Sequence, residues 1–181
     1  NLVIGDSNIF RENVTVSKGT LDGGMLTQLG DNNLLMTGVH IAHDCQIGNH
    51  VILASYTGIS GHVIINDYAI LEGKVAAQQF VEIGEHSFIG GASLIRKDVP
   101  PFIKAAREPL TFAGVNSVGL RRRGYNEEKI RKIEDIYRAI YIQNSNVSKG
   151  IKQVRDSIEK SEERNQIISF IENSDKGVIR G

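Results

Sequence analysis

One cysteine, Cys45, leaves no partner for an intrachain disulfide, and this fits a reducing compartment. Neither sign of charge is in excess: Lys plus Arg number 21, and so do Asp plus Glu. That balance removes any whole-chain attraction to nucleic acid or to an anionic membrane. It leaves room for a local basic patch, which Arg121, Arg122 and Arg123 form. No apolar run reaches the roughly eighteen residues of a spanning helix, and no secretory leader pattern opens the chain. The expected location is therefore cytoplasmic, with neither nucleic acid nor a transmembrane segment among the partners. The chain opens on Asn1 rather than Met, inside what reads as a repeat, so further repeats are expected before it. Proline is scarce, at 3 residues, whereas glycine reaches 19, of which 15 fall within residues 1–119. The first part of the chain turns often and the second does not.

What is present is a six-residue period. Apolar residues recur at Leu29, Leu35, Ile41, Ile47, Leu53, Ile59, Ile65, Leu71, Ala77, Ile83, Ile89 and Ile95. A small or β-branched residue mostly follows four positions later, from Val39 and Cys45 through Ser93, with Asn33 the poor fit. An antiparallel sandwich does not hold a six-residue phase for so long. The pattern predicts a prism: each hexad is one short strand and one turn, three hexads make a triangular coil, and coils stack through backbone hydrogen bonds. Ile4, Phe10 and Val16 carry the same period, and residues 21–28 break it as a loop projecting from one corner. The β-helix is expected over 1–99, ended by Val99-Pro100-Pro101. An extended or looped connecting segment is expected over 100–125 and a helical region over 126–181. Asn126 can cap a helix opening on Glu127 and Glu128, with Ile130, Ile133, Ile136, Tyr137, Ile140 and Tyr141 on its apolar face. A second helix is expected after Ser148, and a third carries Ile167, Ile168 and Ile171.

The histidines fall on the same lattice. His43, Gly61 and Gln79 are eighteen residues apart and so stack along one column, with His62 and Gln78 beside it and His40 half a hexad before His43. Three readings of this polar strip compete. His43 can act as a general base, with Asp44 orienting its ring if a turn brings the neighbours together. His40, His43 and His62 can hold zinc, although no fixed ligand spacing marks them out. Or the imidazoles serve only as solvent-facing hydrogen-bonding groups, as expected of His50 and His86 at turn positions.

The segment HIAHDCQIGNH at 40–50 resembles the active-site repeat of the UDP-N-acetylglucosamine O-acyltransferases of lipid A synthesis. The resemblance continues in order through RENVTVSKGT at 11–20, GDNNLLM at 30–36, ISGHV at 59–63 and QQF at 78–80. KDVPPF at 97–102, FAGVNSVGLRRRG at 112–124 and GVIR at 177–180 complete it, so it spans essentially the whole chain. It implies a left-handed parallel β-helix, a homotrimer with sites between adjacent prisms, and several coils before Asn1. The implied reaction transfers a (3R)-3-hydroxyacyl group from acyl carrier protein to the 3-hydroxyl of UDP-N-acetylglucosamine, with no cofactor and no metal.

Residue by residue, the resemblance makes His43 the base, Asp44 its acidic neighbour and the Gly61 amide the oxyanion donor. It makes His40, His62, Gln79, Asn116 and Arg122 substrate contacts, Gly91 the acyl-chain ruler, and Arg121 and Arg123 a patch for the carrier protein. Three positions depart from the family pattern: Gln78 replaces a common histidine, Glu72 a glycine and Val118 a glutamate. The alternatives are another hexapeptide acyltransferase, either acetyl-CoA-dependent or the N-acyltransferase of the same pathway, and a non-catalytic β-helical scaffold.

Overall fold

The computed structural model describes all residues, 1–181. Two-residue strands separated by four-residue turns wind the chain into a left-handed β-helix with three flat faces. The first face stacks Leu2–Ile4, Thr27–Leu29, Gln46–Ile47, Ile64–Ile65 and Glu82–Ile83 in parallel. The second runs from Ile9–Phe10 through Leu34–Leu35, Ile52–Leu53 and Ile70–Leu71 to Phe88–Ile89. The third holds Thr15–Val16, His40–Ile41, Gly58–Ile59, Ala76–Ala77 and Leu94–Ile95.

The last residue of each strand from Thr27–Leu29 to Leu94–Ile95 points inward, so its equivalents meet across coils. Leu29, Ile47, Ile65 and Ile83 form one such column, and each is at most 3% exposed. Burying side chains of this size stabilises by about 1.5–3 kcal/mol each, which is offset by the entropy of ordering the chain. Asn33, the misfit in the period, is buried because its amide serves as a rung. Its Nδ2 donates to the Gly48 carbonyl and its Oδ1 accepts the Val51 N–H. Each corner is turned by a residue in the left-handed region, among them Asp44 (φ 59°), His62 (φ 61°) and His86 (φ 55°). The loop of residues 21–26 leaves the corner between the third and first faces, and Leu21 within it is 84% exposed.

The structure corrects the expected connecting segment. Ile103–Ala106 extends the second face, in parallel with Phe88–Ile89, and Thr111–Val115 folds back antiparallel beside it. Pro100 and Pro101 lie before the Ile103–Ala106 strand, so no strand amide is lost, and the alternating Ile103 and Ala105 are buried. The short helix α1 (Ser117–Arg122) follows, then α2 (Glu127–Tyr141), α3 (Val147–Ser157) and α4 (Glu162–Glu172). Asn126 caps α2 by accepting the Lys129 N–H, as expected, while α3 starts one residue before Ser148, capped by Asn146. Tyr137 docks α2 on the prism by donating its hydroxyl to the Pro101 carbonyl at 2.6 Å. The end of the chain returns to the same place, where Val178 bridges Asp98 and Arg180 bridges Thr111.

Candidate active site

At the corner between the third and first faces, a left-handed turn at Asp44 folds that residue back on its neighbour. The His43 Nδ1–H then donates to Asp44 Oδ2 at 2.8 Å. The two side chains differ sharply in exposure, 37% for His43 and 1% for Asp44. Burial would raise the Asp44 pKa. The Thr20 hydroxyl, the His43 imidazole and the Thr20 amide outweigh it and hold the carboxyl well below its usual range. An ionised carboxylate can only accept, so it fixes the proton of a neutral His43 ring on Nδ1 and leaves Nε2 with a lone pair.

Gly61 lies one coil further on, and His43 covers it. A Cβ at Gly61 would stand 2.7 Å from His43 Cε1 and 2.9 Å from Nε2, so only glycine lets the ring lie there. The Gly61 N–H donates to no acceptor in the chain. His43 also separates two open grooves. One, of about 370 Å³, runs along the third face between His40, Gly58, Ser60, Gly61, Ala76 and Gln79. The other, of about 640 Å³, lies against Ser17, Lys18, Thr20, Leu21 and Met25 at the base of the loop. The His43 imidazole and an unpaired backbone N–H thus stand together between two open grooves. This is a geometry for moving a group from one bound molecule to another.

His40, His43, Gly61 and Gln79 are brought to one groove, as expected, and His62 sits edge-on to His43 with ring centroids 5.2 Å apart. The zinc arrangement of His40, His43 and His62 is not assembled, because His40 does not converge with the other two; its Nδ1 is paired with Thr15 Oγ1 at 2.8 Å. Asp44 instead joins His43 and His62 in a group whose candidate ligand atoms lie within 4.8 Å of one another. Its Oδ2 is already engaged by Thr20 and His43. Thr20, Gly23 and Thr27, which enclose Asp44, were not foreseen. Thr20 and Gly23 lie at the break in the period, where counting in steps of eighteen does not reach them, whereas Thr27 is back in phase, eighteen residues before Cys45.

The remaining expected site residues lie at the other two corners. Gly91 stands between the second and third faces, where its N–H donates to Glu72 Oε2 at 2.9 Å. Asn116 and the arginines lie beside the corner between the first and second faces. The Asn116 side chain is consumed there, donating to the His86 carbonyl and capping α1 through the Gly119 N–H. Arg121 pairs with Glu127, and Arg123 donates to the Tyr68 carbonyl over the Tyr68 ring. Arg122 is the member of the run left exposed with no side-chain partner. His86 is buried rather than solvent-facing, since Phe102 and Tyr125 pack against it.

Known proteins resemble this chain in sequence and in fold. Residues 98–179 match the model of the UDP-N-acetylglucosamine O-acyltransferase family, domain 2, and residues 26–61 match the bacterial transferase hexapeptide repeat. The acyl-[acyl-carrier-protein]–UDP-N-acetylglucosamine O-acyltransferase of Pseudomonas syringae is 40% identical over 179 residues, covering 99% of this chain and 69% of that protein. Its counterpart in Stenotrophomonas maltophilia is 38% identical over 180 residues, covering 99% and 68%. The crystal structure of the UDP-N-acetylglucosamine acyltransferase of Francisella novicida superposes with a TM-score of 0.94 at 36% identity, over 99% of this chain and 66% of that one. This chain thus spans about two thirds of the length of these relatives. It belongs to the UDP-N-acetylglucosamine O-acyltransferase family of hexapeptide-repeat enzymes.

Proposed function

We propose that this corner transfers a 3-hydroxyacyl group from acyl carrier protein to the 3-hydroxyl of UDP-N-acetylglucosamine, with His43 as general base and the Gly61 amide as oxyanion donor. The observation that carries the proposal is His43 at the junction of two grooves, with Nδ1 held by a buried carboxylate and a free N–H beneath its ring. A sugar hydroxyl is a weak nucleophile until its proton leaves during attack. His43 Nε2 takes that proton as the oxygen bonds to the thioester carbon. Negative charge gathers on the carbonyl oxygen, where the Gly61 N–H can meet it. A fixed donor of this kind is worth about 3 kcal/mol in a transition state. When the tetrahedral adduct collapses, the carbon–sulfur bond breaks and the proton passes from His43 to the departing thiolate. The thioester supplies the activation, so no phosphoryl donor or redox cofactor has a role.

The site is completed by other copies of the chain in a trimer. Both grooves at His43 are open, while Gly91 and Arg122 stand at other corners of the prism. No movement within one rigid prism joins these corners, but the packing of neighbouring prisms does. Arg122 then contacts the nucleotide, Gly91 limits the acyl chain, and Asn116 acts through its cap on the helix that bears Arg122. Arg121 and Arg123 enter the carrier-facing patch mainly by holding that helix in place, since both are already paired. A cytoplasmic location is supported by the substrates and by the free buried thiol of Cys45.

The direct test incubates the protein with 3-hydroxyacyl carrier protein and UDP-N-acetylglucosamine and identifies the product by mass. An acylated sugar nucleotide is the expected result. Turnover of acetyl-CoA in its place would contradict the proposal.

A further inference from the structure

The loop that interrupts the repeat does more than project into solvent, because Thr20, the residue it springs from, holds the carboxylate behind His43. The Thr20 N–H reaches both oxygens of Asp44 at 3.1 Å, and the Thr20 hydroxyl donates to Oδ2 at 2.7 Å. Oδ2 is also the acceptor of the His43 Nδ1–H. At the far end of the loop, buried Thr27 accepts the Asp44 N–H through Oγ1 at 2.7 Å. Between them Gly23 lies so close that a Cβ there would stand 2.1 Å from Asp44 Oδ2 and 2.8 Å from His62 Cε1. The loop is therefore fitted over Asp44 and attached to it at both ends. Its fold depends on the same threonine, since the Thr20 carbonyl accepts the N–H of Gly23 and of Met25.

We propose that Thr20 is a positioning residue for acyl transfer, acting through Asp44 to hold His43 with its proton on Nδ1. The inference rests on the reading of His43 as the base. Its physical basis is the geometry of a carboxylate with one fixed orientation. Three donor contacts from Thr20 fix the plane of the Asp44 carboxylate, and that plane fixes the line along which Nδ1–H must point. Without the hydroxyl, Oδ2 keeps a long amide contact and the imidazole, and the carboxylate can turn about its Cβ–Cγ bond. The imidazole then loses its fixed orientation and its preference for one tautomer. When the other tautomer forms, Nε2 carries the proton and cannot accept one from the sugar.

The test compares Thr20→Val, Thr20→Ser and Thr20→Cys in the intact enzyme, with trimer content measured in each. Thr20→Val keeps the shape and the backbone N–H but loses the hydroxyl. It should lower kcat five- to twentyfold and leave KM for UDP-N-acetylglucosamine within about twofold, while Thr20→Ser stays within about twofold of the parent in both. Nitrogen NMR of labelled His43 should show Nδ1 protonated in the parent and in Thr20→Ser, and a mixture of tautomers in Thr20→Val. A loss of kcat with a single unchanged tautomer, or an unchanged kcat, would overturn the proposal. If Thr20→Val does not fold, Thr20→Cys, a weaker donor of similar size, must fall below Thr20→Ser in kcat for the proposal to stand. The base reading is tested separately by removing His43. An inactive His43→Ala beside a fully active Thr20→Val would sink the positioning role alone, and an active His43→Ala would sink the base.

Discussion

Single residues decide the site, and the sequence reveals some of them and hides others. His43, Gly61 and Gln79 were legible because a repeat of eighteen residues converts spacing into height on one column. The His43–Asp44 contact was legible only in part, since adjacent side chains meet only if the turn allows it, and the left-handed φ of 59° at Asp44 supplies that turn. His86 was misread as solvent-facing because the residues that bury it, Phe102 and Tyr125, come from outside the repeat. Burial first, then the nearby Arg123 guanidinium, lowers the His86 pKa to about 4 against the opposing pull of Asp67. In the unfolded chain a histidine titrates near 6.5. Between those values the unfolded state takes up the proton and the folded state does not. The contribution of His86 is therefore complete above about pH 6.5 and is lost as pH falls toward 4. Denaturant midpoints followed from pH 7 to pH 4.5 should fall less steeply in His86→Phe than in the parent. Parallel curves would mean that His86 is not the group being charged.

At the scale of elements, the inward column is where the sequence spoke most clearly. From Leu29 onward every hexad residue named from the period is buried, because each strand is so short that one side chain per face decides its fate. Ile4 and Phe10, on the first coil of the chain, follow the same period but are 43% and 41% exposed. The continuation of the second face by Ile103–Ala106 was less legible, since two prolines read as a stop when they only occupy a turn. The central strand residue Ile65 is 1% exposed and lies between Ile47 and Ile83 in adjacent coils. Ile65→Asp places an unpaired charge between stacked coils and should abolish cooperative folding. Circular dichroism melts on the purified variant would read this, and a soluble Ile65→Asp protein with a sharp transition would contradict the register.

For the whole molecule, the account requires more than one chain. A single prism carries His43, Asp44 and Gly61 at one corner, but it leaves both grooves open and Arg122 at another corner. Light scattering on the active enzyme should give three times the chain mass, and an active monomer would remove the shared site. This level was not legible in the hexad period, which builds one prism and is silent about its neighbours. The resemblance in motif order implied the trimer, and the roles proposed for Gly91 and Arg122, at other corners than His43, call for it.

The central claim is that His43 removes the proton from the sugar hydroxyl, and kcat of His43→Ala, measured on a sample of verified trimer content, tests it most directly. The substitution removes a residue outside the inward column, so the fold and the assembly should persist. Loss of a positioned base should lower kcat by roughly 10²–10⁴. Binding of UDP-N-acetylglucosamine, which has other contacts along both grooves, should weaken far less. A fully trimeric His43→Ala enzyme that kept more than about a third of the parental kcat would contradict the mechanism and direct attention to His62, the imidazole edge-on to His43.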